Sequence, residues 1–173
     1  YMGNKVLNKT AAECLLAGIM LDTKSFSLKS GIRTFEAAAY LKKNGADNAE
    51  VKKMFANPID MYKLRCKIME TAQTIRECAI AKLENQSKDF RIPCSQAADE
   101  LLNIKNVKAS FVISKFNGIV NISARSLGEV NVQVIMEKLG GGGHYNMSAA
   151  QIPDITIEDA EKKLISIIEE KLS

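Results

Sequence analysis

The chain has 173 residues, 46% of them hydrophobic, with 24 Lys and Arg against 20 Asp and Glu for a net charge of +4, which suits one packed domain or two small ones and excludes a disordered tail. A single histidine and no tryptophan exclude an HExxH or two-histidine metal centre built from this chain alone, and count against an aromatic-rich platform for single-stranded nucleic acid. Residues 1–75 carry +5 and residues 76–173 carry −1, so neither half has the basic stripe of a general nucleic-acid binder, whereas a small anionic ligand stays open.

The first half reads as helices. Thr10 and Glu13 have capping-box spacing, and the apolar run 14–21 follows, which predicts a helix over about 10–21. That run falls short of the ~20 residues of a membrane span. A second helix is expected over 34–44, with Gly45 as its stop. Asp47 and Glu50 open a third, to about residue 56. Asn57 before Pro58 is a cap followed by a first-turn proline, and the helical spacing of Ile59, Tyr62, Leu64, Ile68, Met69 and Ile75 carries a fourth helix to about 75.

The second half changes character. Residues 78–83 read as a short strand, 85–91 as a polar loop and 95–104 as a helix. Two β-rich runs, 109–116 and 119–125, are joined by Asn117-Gly118, a pair that supplies the positive φ values of a type I′ hairpin turn. A helix over 130–139, four glycines at 140–143, a strand over 148–152 and a final amphipathic helix from Thr156 complete the chain, the last with Ile157, Ala160, Leu164, Ile167 and Ile168 inward. The four cysteines, Cys14, Cys66, Cys78 and Cys94, form no CxxC pair and read as reduced thiols.

Four places could carry chemistry. The glycines before His144 are either a flexible loop after a helix or a backbone that a ligand approaches closely, with N–H groups for a phosphate. Ser123 and Arg125 share a strand face, and a guanidinium fork beside a hydroxyl suits a phosphate as well as it suits an ordinary surface. Asn131 is either a helix cap or part of an anion site. Asp22, at the unfavourable end of a helix dipole, either accepts turn bonds from Thr23 or Ser25 or ligates a divalent metal.

Together these passages resemble the DHH phosphoesterase family with its C-terminal associated domain. The resemblance rests on Leu15 to Phe26 (LLAGIMLDTKSF), Arg33-Thr-Phe35, Ile122 to Asn131 (ISARSLGEVN) and the Gly140 to His144 run, in that order and spacing. It covers nearly the whole chain and is nearest to the bacterial, membrane-anchored cyclic-di-AMP phosphodiesterases. It implies an α/β (α+β) fold in three parts. Residues 1–56 would be the helical tail of the catalytic DHH lobe and 57–75 a connecting helix. Residues 76–173 would be a substrate-binding domain, with a small mixed sheet, the 109–125 hairpin and flanking helices.

The resemblance further implies a manganese-dependent phosphodiesterase that hydrolyses cyclic-di-AMP to pApA, with two Mn2+ ions in the full-length enzyme. Asp22 matches a metal-ligand aspartate. Ser123, Arg125, Gly141, Gly142, Gly143 and His144 match the substrate-binding positions. The Asp-His-His motif that names the family is absent. The expectation is therefore that Tyr1 lies inside a longer protein, that this piece is inactive alone, and that it is a cytoplasmic segment of a protein anchored through helices upstream. Its partners would be a cyclic dinucleotide or short oligonucleotide and the upstream lobe of the same protein. A homodimer is compatible with the resemblance, and direct membrane contact is not expected. The alternatives are an oligoribonuclease or exonuclease of the same family and a non-catalytic nucleic-acid-binding module.

Overall fold

The computed structural model describes residues 7–86 and 90–172. They divide into two compact units between Asn57 and Pro58. The first is helical. α1 (Lys9–Asp22), α2 (Ile32–Lys43) and α3 (Asn48–Met54) enclose a small core of Ala12, Leu16, Leu41, Ala46 and Val51.

The caps differ in part from expectation. Asn8, not Thr10, caps α1, accepting from Ala11 N at 2.7 Å, which places Thr10 inside the helix. Glu13 is mostly buried and reaches Asp47 N at 3.4 Å instead of its own helix start. α2 ends as expected: Gly45 has φ +92°, and Gly45 N and Ala46 N donate to Lys42 O and Leu41 O, a Schellman stop. Asp47 caps α3 through Ala49 N at 2.8 Å, while Glu50 pairs with Lys53.

The second unit is a six-stranded sheet with helices on both faces. α4 (Ile59–Glu70) leads to β1 (Gln73–Ile75) and β2 (Cys78–Gln86); α5 (Arg91–Leu101) crosses to β3 (Ala109–Phe116) and β4 (Ile119–Ser126); α6 (Val132–Glu137), β5 (Gly142–His144), β6 (Met147–Ile152) and α7 (Ile157–Lys171) follow. The strand order is β1-β2-β3-β4-β6-β5. Among the described strands only β2 and β3 run parallel, and α5 makes the crossover that a parallel pair requires. The mixed α/β class expected from the sequence holds.

The fourth helix ends five residues before the expected point. Thr71 terminates it: its hydroxyl donates to Ile68 O at 2.7 Å and accepts from Lys82 N at 2.8 Å, which turns the chain into β1 beside β2. Ile75, counted as helical from its spacing, is a strand residue packed on the main core. Pro58 is the cap position, and Asn57 Nδ2 bonds Phe55 O instead of capping. The fifth helix starts at Arg91 rather than Ser95 and stops at Leu101. The loop expected over 85–91 falls partly on residues 87–89, outside the described residues, while β2 continues to Gln86.

The hairpin is as expected, with Asn117 at φ +48° and Gly118 at φ +80°. Its alternation sets the two faces of the sheet. Phe111, Ile113, Ile122 and Ala124 face α6 and α7, with Ile135, Leu164 and Ile168 in the same core. Ala79, Ala81, Leu83 and Val112 face α4 and α5, against Ile68, Ala97 and Leu101. α4 lies over β2, and α5 over β3 and β4. On that side β6 stays uncovered, with Met147, Ala149 and Gln151 exposed. No helix among the described residues is long and apolar enough to cross a membrane.

Candidate functional site: a cleft on the uncovered sheet face

Strand alternation places Asn121, Ser123 and Arg125 of β4 on the α5 side. Register then sets each beside a β6 residue: Asn121 by Gln151, Ser123 by Ala149, Arg125 by Met147. These residues floor a cleft of about 430 Å3, within the size range of small-molecule sites. Arg91, Ile92 and Ser95, from the first two turns of α5, form one wall; Gly142 and Gly143 of β5 form the other. The positive end of α5 favours an anion here.

Arg125 is nearly buried, at 11% side-chain exposure, with its Nε 3.1 Å from Asp99 Oδ1. The Nε–H points off that line, so the contact is an ion pair without a hydrogen bond. Nη1 donates to Ala124 O at 2.9 Å. Among the described residues Nη2 has no protein partner, nor has the Ser123 hydroxyl. A fixed guanidinium with one open edge beside an open hydroxyl is able to bind a phosphate oxygen.

The four glycines are not one flexible loop. Gly140, at φ +76°, ends the helical segment, and Gly141 N bonds Met136 O. Gly142 to His144 then form the edge strand β5. A Cβ on Gly141 would strike Ala149 O and Ala150, and one on Gly143 would lie 2.6 Å from Met147 O. These two are glycines because β5 packs hard on β6. A Cβ on Gly142 would meet nothing within 4 Å, so Gly142 is the glycine with open space at the cleft. His144 is exposed. Its register partner is Met147, which puts it on the cleft side of the sheet, beyond the residues that line the cleft. Ser148 Oγ pins His144 O at 2.7 Å.

Asn131 is a helix cap, accepting from Gln133 N and Val134 N, and it does not line the cleft. Asp22 is in the first unit, exposed at the end of α1. The expected bonds from Thr23 or Ser25 to its carboxylate do not close the turn. Thr23 closes it, its hydroxyl donating to Ile19 O and accepting from Phe26 N. Lys24, Ser25 and Phe26 follow at φ +45°, +55° and +67°, a costly run of left-handed residues. Phe26 stacks on Phe35 with centroids 5.3 Å apart, which joins two of the passages that carry the resemblance.

Sequence reasoning missed Arg91, Ser95, Asn121 and Gln151. Asn121 was within reach, because extending the alternation back from Ser123 gives it the same face. The α5 wall had no sequence signal, since it depends on the crossover.

The DHHA1 domain family matches residues 79–173. The chain is 49% identical over 160 residues to the cyclic-di-AMP phosphodiesterase GdpP of Geobacillus thermodenitrificans, covering 91% of this chain and 24% of that protein. It is 43% identical over 165 residues to the cyclic-di-AMP phosphodiesterase PdeA of Listeria monocytogenes, covering 94% and 25%. It thus spans about a quarter of the length of these relatives. Among solved structures, an exopolyphosphatase-related protein from Bacteroides fragilis shares the fold, with a TM-score of 0.86 at 22% identity over 94% of this chain and 51% of the other. The residues that line the cleft, 91 to 151, thus fall within the matched residues, and the chain belongs to the DHHA1 domain family.

Proposed function

We propose that the second unit is the substrate-binding part of a phosphodiesterase that hydrolyses cyclic-di-AMP to pApA. The observation that carries this is the convergence of Ser123, Arg125 and Gly142 on one cleft in a chain 43–49% identical to proteins named for that activity. Arg125 binds a phosphate oxygen through its open Nη2 edge, Ser123 donates a second bond, and Gly142 gives the ligand room beside the β5 backbone. His144, on the same sheet face, meets the part of the ligand that leaves the cleft.

In such an enzyme bound divalent metals, manganese by the family resemblance, supply the activated water. The described residues do not fit a metal centre: no group of three or more His, Cys, Asp or Glu side chains is placed to hold one. Asp22 is the metal-ligand candidate, and it needs partners from outside these residues. The part of the reaction assigned to this chain is to bind and orient the phosphodiester. The whole protein would be held at the membrane by segments other than these, with the present residues on the cytoplasmic side.

Calorimetric titration of the 173-residue chain with cyclic-di-AMP and pApA tests the reading. Both bind, and neither is hydrolysed when Mn2+ is added. Absence of binding, or manganese-dependent turnover at the rate of a longer protein, overturns it. Linear oligoadenylates binding far tighter than either ligand would favour the oligoribonuclease alternative.

A further inference from the structure

The cleft face continues past the phosphate-binding residues towards the hairpin tip. A second cavity of about 190 Å3 adjoins the first and is lined by Phe116, Asn117, Ile119, Arg91, Asn121 and Gln151. Arg91, Asn121 and Gln151 also line the larger cleft. Along β4 the face therefore runs from apolar Phe116 and Ile119, a register pair, through the Asn121–Gln151 amides, to Ser123 and Arg125. The small cavity is below the ~300 Å3 of a whole-ligand site, which suits one part of a larger molecule.

The amides are oriented by a backbone group. Ile119 O can only accept, so the Asn121 group 3.2 Å from it is Nδ2. Asn121 Oδ1 must then accept, and Gln151 Nε2 donates to it at 2.9 Å. This fixes the amide orientations through the network. Gln151 Oε1 and its second Nε2–H have no protein partner among the described residues. An acceptor beside a donor, next to an aromatic side chain, is what a base edge needs. Adenine offers the complementary donor and acceptor on two edges, through N6 with N1 and N6 with N7.

We propose that this hairpin-tip cavity is a nucleobase subsite, in which Gln151 reads an adenine edge and Phe116 and Ile119 supply the apolar contact. It rests on the phosphate reading of the larger cleft, because it assigns the other end of the same ligand. Gln151 sets specificity and touches no reacting bond.

The test compares two ligands of equal charge: pApA and the abasic dinucleotide in which both bases are replaced by hydrogen. The chain should bind pApA about tenfold or more tighter, from the base contact and hydrogen bonds. Gln151→Leu should lose about five- to tenfold more affinity for pApA than for the abasic ligand. In amide-resolved NMR the Gln151 side-chain NH2 signals should shift with pApA and stay fixed with the abasic ligand. Equal binding of the two ligands, or equal loss of both in Gln151→Leu, overturns the subsite while leaving the phosphate reading standing. Binding of neither ligand overturns the phosphate reading, and this proposal with it. Should Gln151→Leu unfold, the wild-type comparison and the NMR shifts decide alone.

Discussion

Arg125 is held on two sides, by Asp99 and by Ala124 O, so its open edge needs no further ordering when a phosphate arrives. Charged hydrogen bonds contribute ~1.5–3 kcal/mol each. Arg125→Ala should therefore weaken pApA binding about ten- to hundredfold by calorimetry. Arg125→Lys, which keeps charge but not the fork, should recover only part of that. The thiols give a second test at this scale. Cys78 is buried at the start of β2, and burial, with Glu77 adding to it, pushes its thiol up to about 11. Cys14 and Cys66 are exposed, Cys94 buried. A native thiol titration at pH 8 should label Cys14 and Cys66 and spare the other two.

The raised Cys78 value also gives a pH dependence. Between the unfolded thiol's value of 9.0 and about 11, the folded state keeps a proton that the unfolded state releases. Stability present below pH 9 is therefore lost as pH rises towards 11, by about 3 kcal/mol at most. Denaturant melts of Cys78→Ala across that window should show a shallower decline than the parent chain.

At the level of elements, the glycine strand separates packing from binding. Gly141→Ala and Gly143→Ala drive a methyl into the β6 backbone, and overpacking of this kind costs about 1–3 kcal/mol. Gly142→Ala meets open space, so its melting temperature should hold while affinity for pApA falls. Calorimetry and thermal melts on the three variants check this, and a uniform stability loss across them would sink the distinction. The sequence made these glycines look like a loop because nothing local marks a strand without side chains. β5 exists only because β6 is there to receive it. β1 was hidden for a related reason: Ile75 kept the helical spacing, and the stop comes from Thr71 bonding Lys82, eleven residues on. The hairpin was legible because Asn117-Gly118 encodes its own turn, and α7 because one stripe of apolar residues faces one core. Thr10 and Glu13 carry capping-box spacing, yet Asn8, two residues earlier, makes the cap.

For the whole molecule, every described residue lining the cleft lies between 91 and 151, within the unit that begins at Pro58. A chain started at Pro58 should fold and bind pApA with the affinity of the 173-residue chain, by circular dichroism and calorimetry. Among the described residues, the first unit buries five small or medium apolar residues in its core cluster, a small core. It should melt at the lower temperature in a scan of the full chain, and that transition should vanish on truncation.

The two outer strands of the sheet, β1 and β5, are three residues each, while the inner strands run to nine. A neighbouring chain that tried to add a strand would find only one or two ladder rungs to grip, one edge being mostly glycine. Short edges of this kind guard a sheet against polymerising through its backbone. Self-association of the folded unit is thereby steered away from strand pairing.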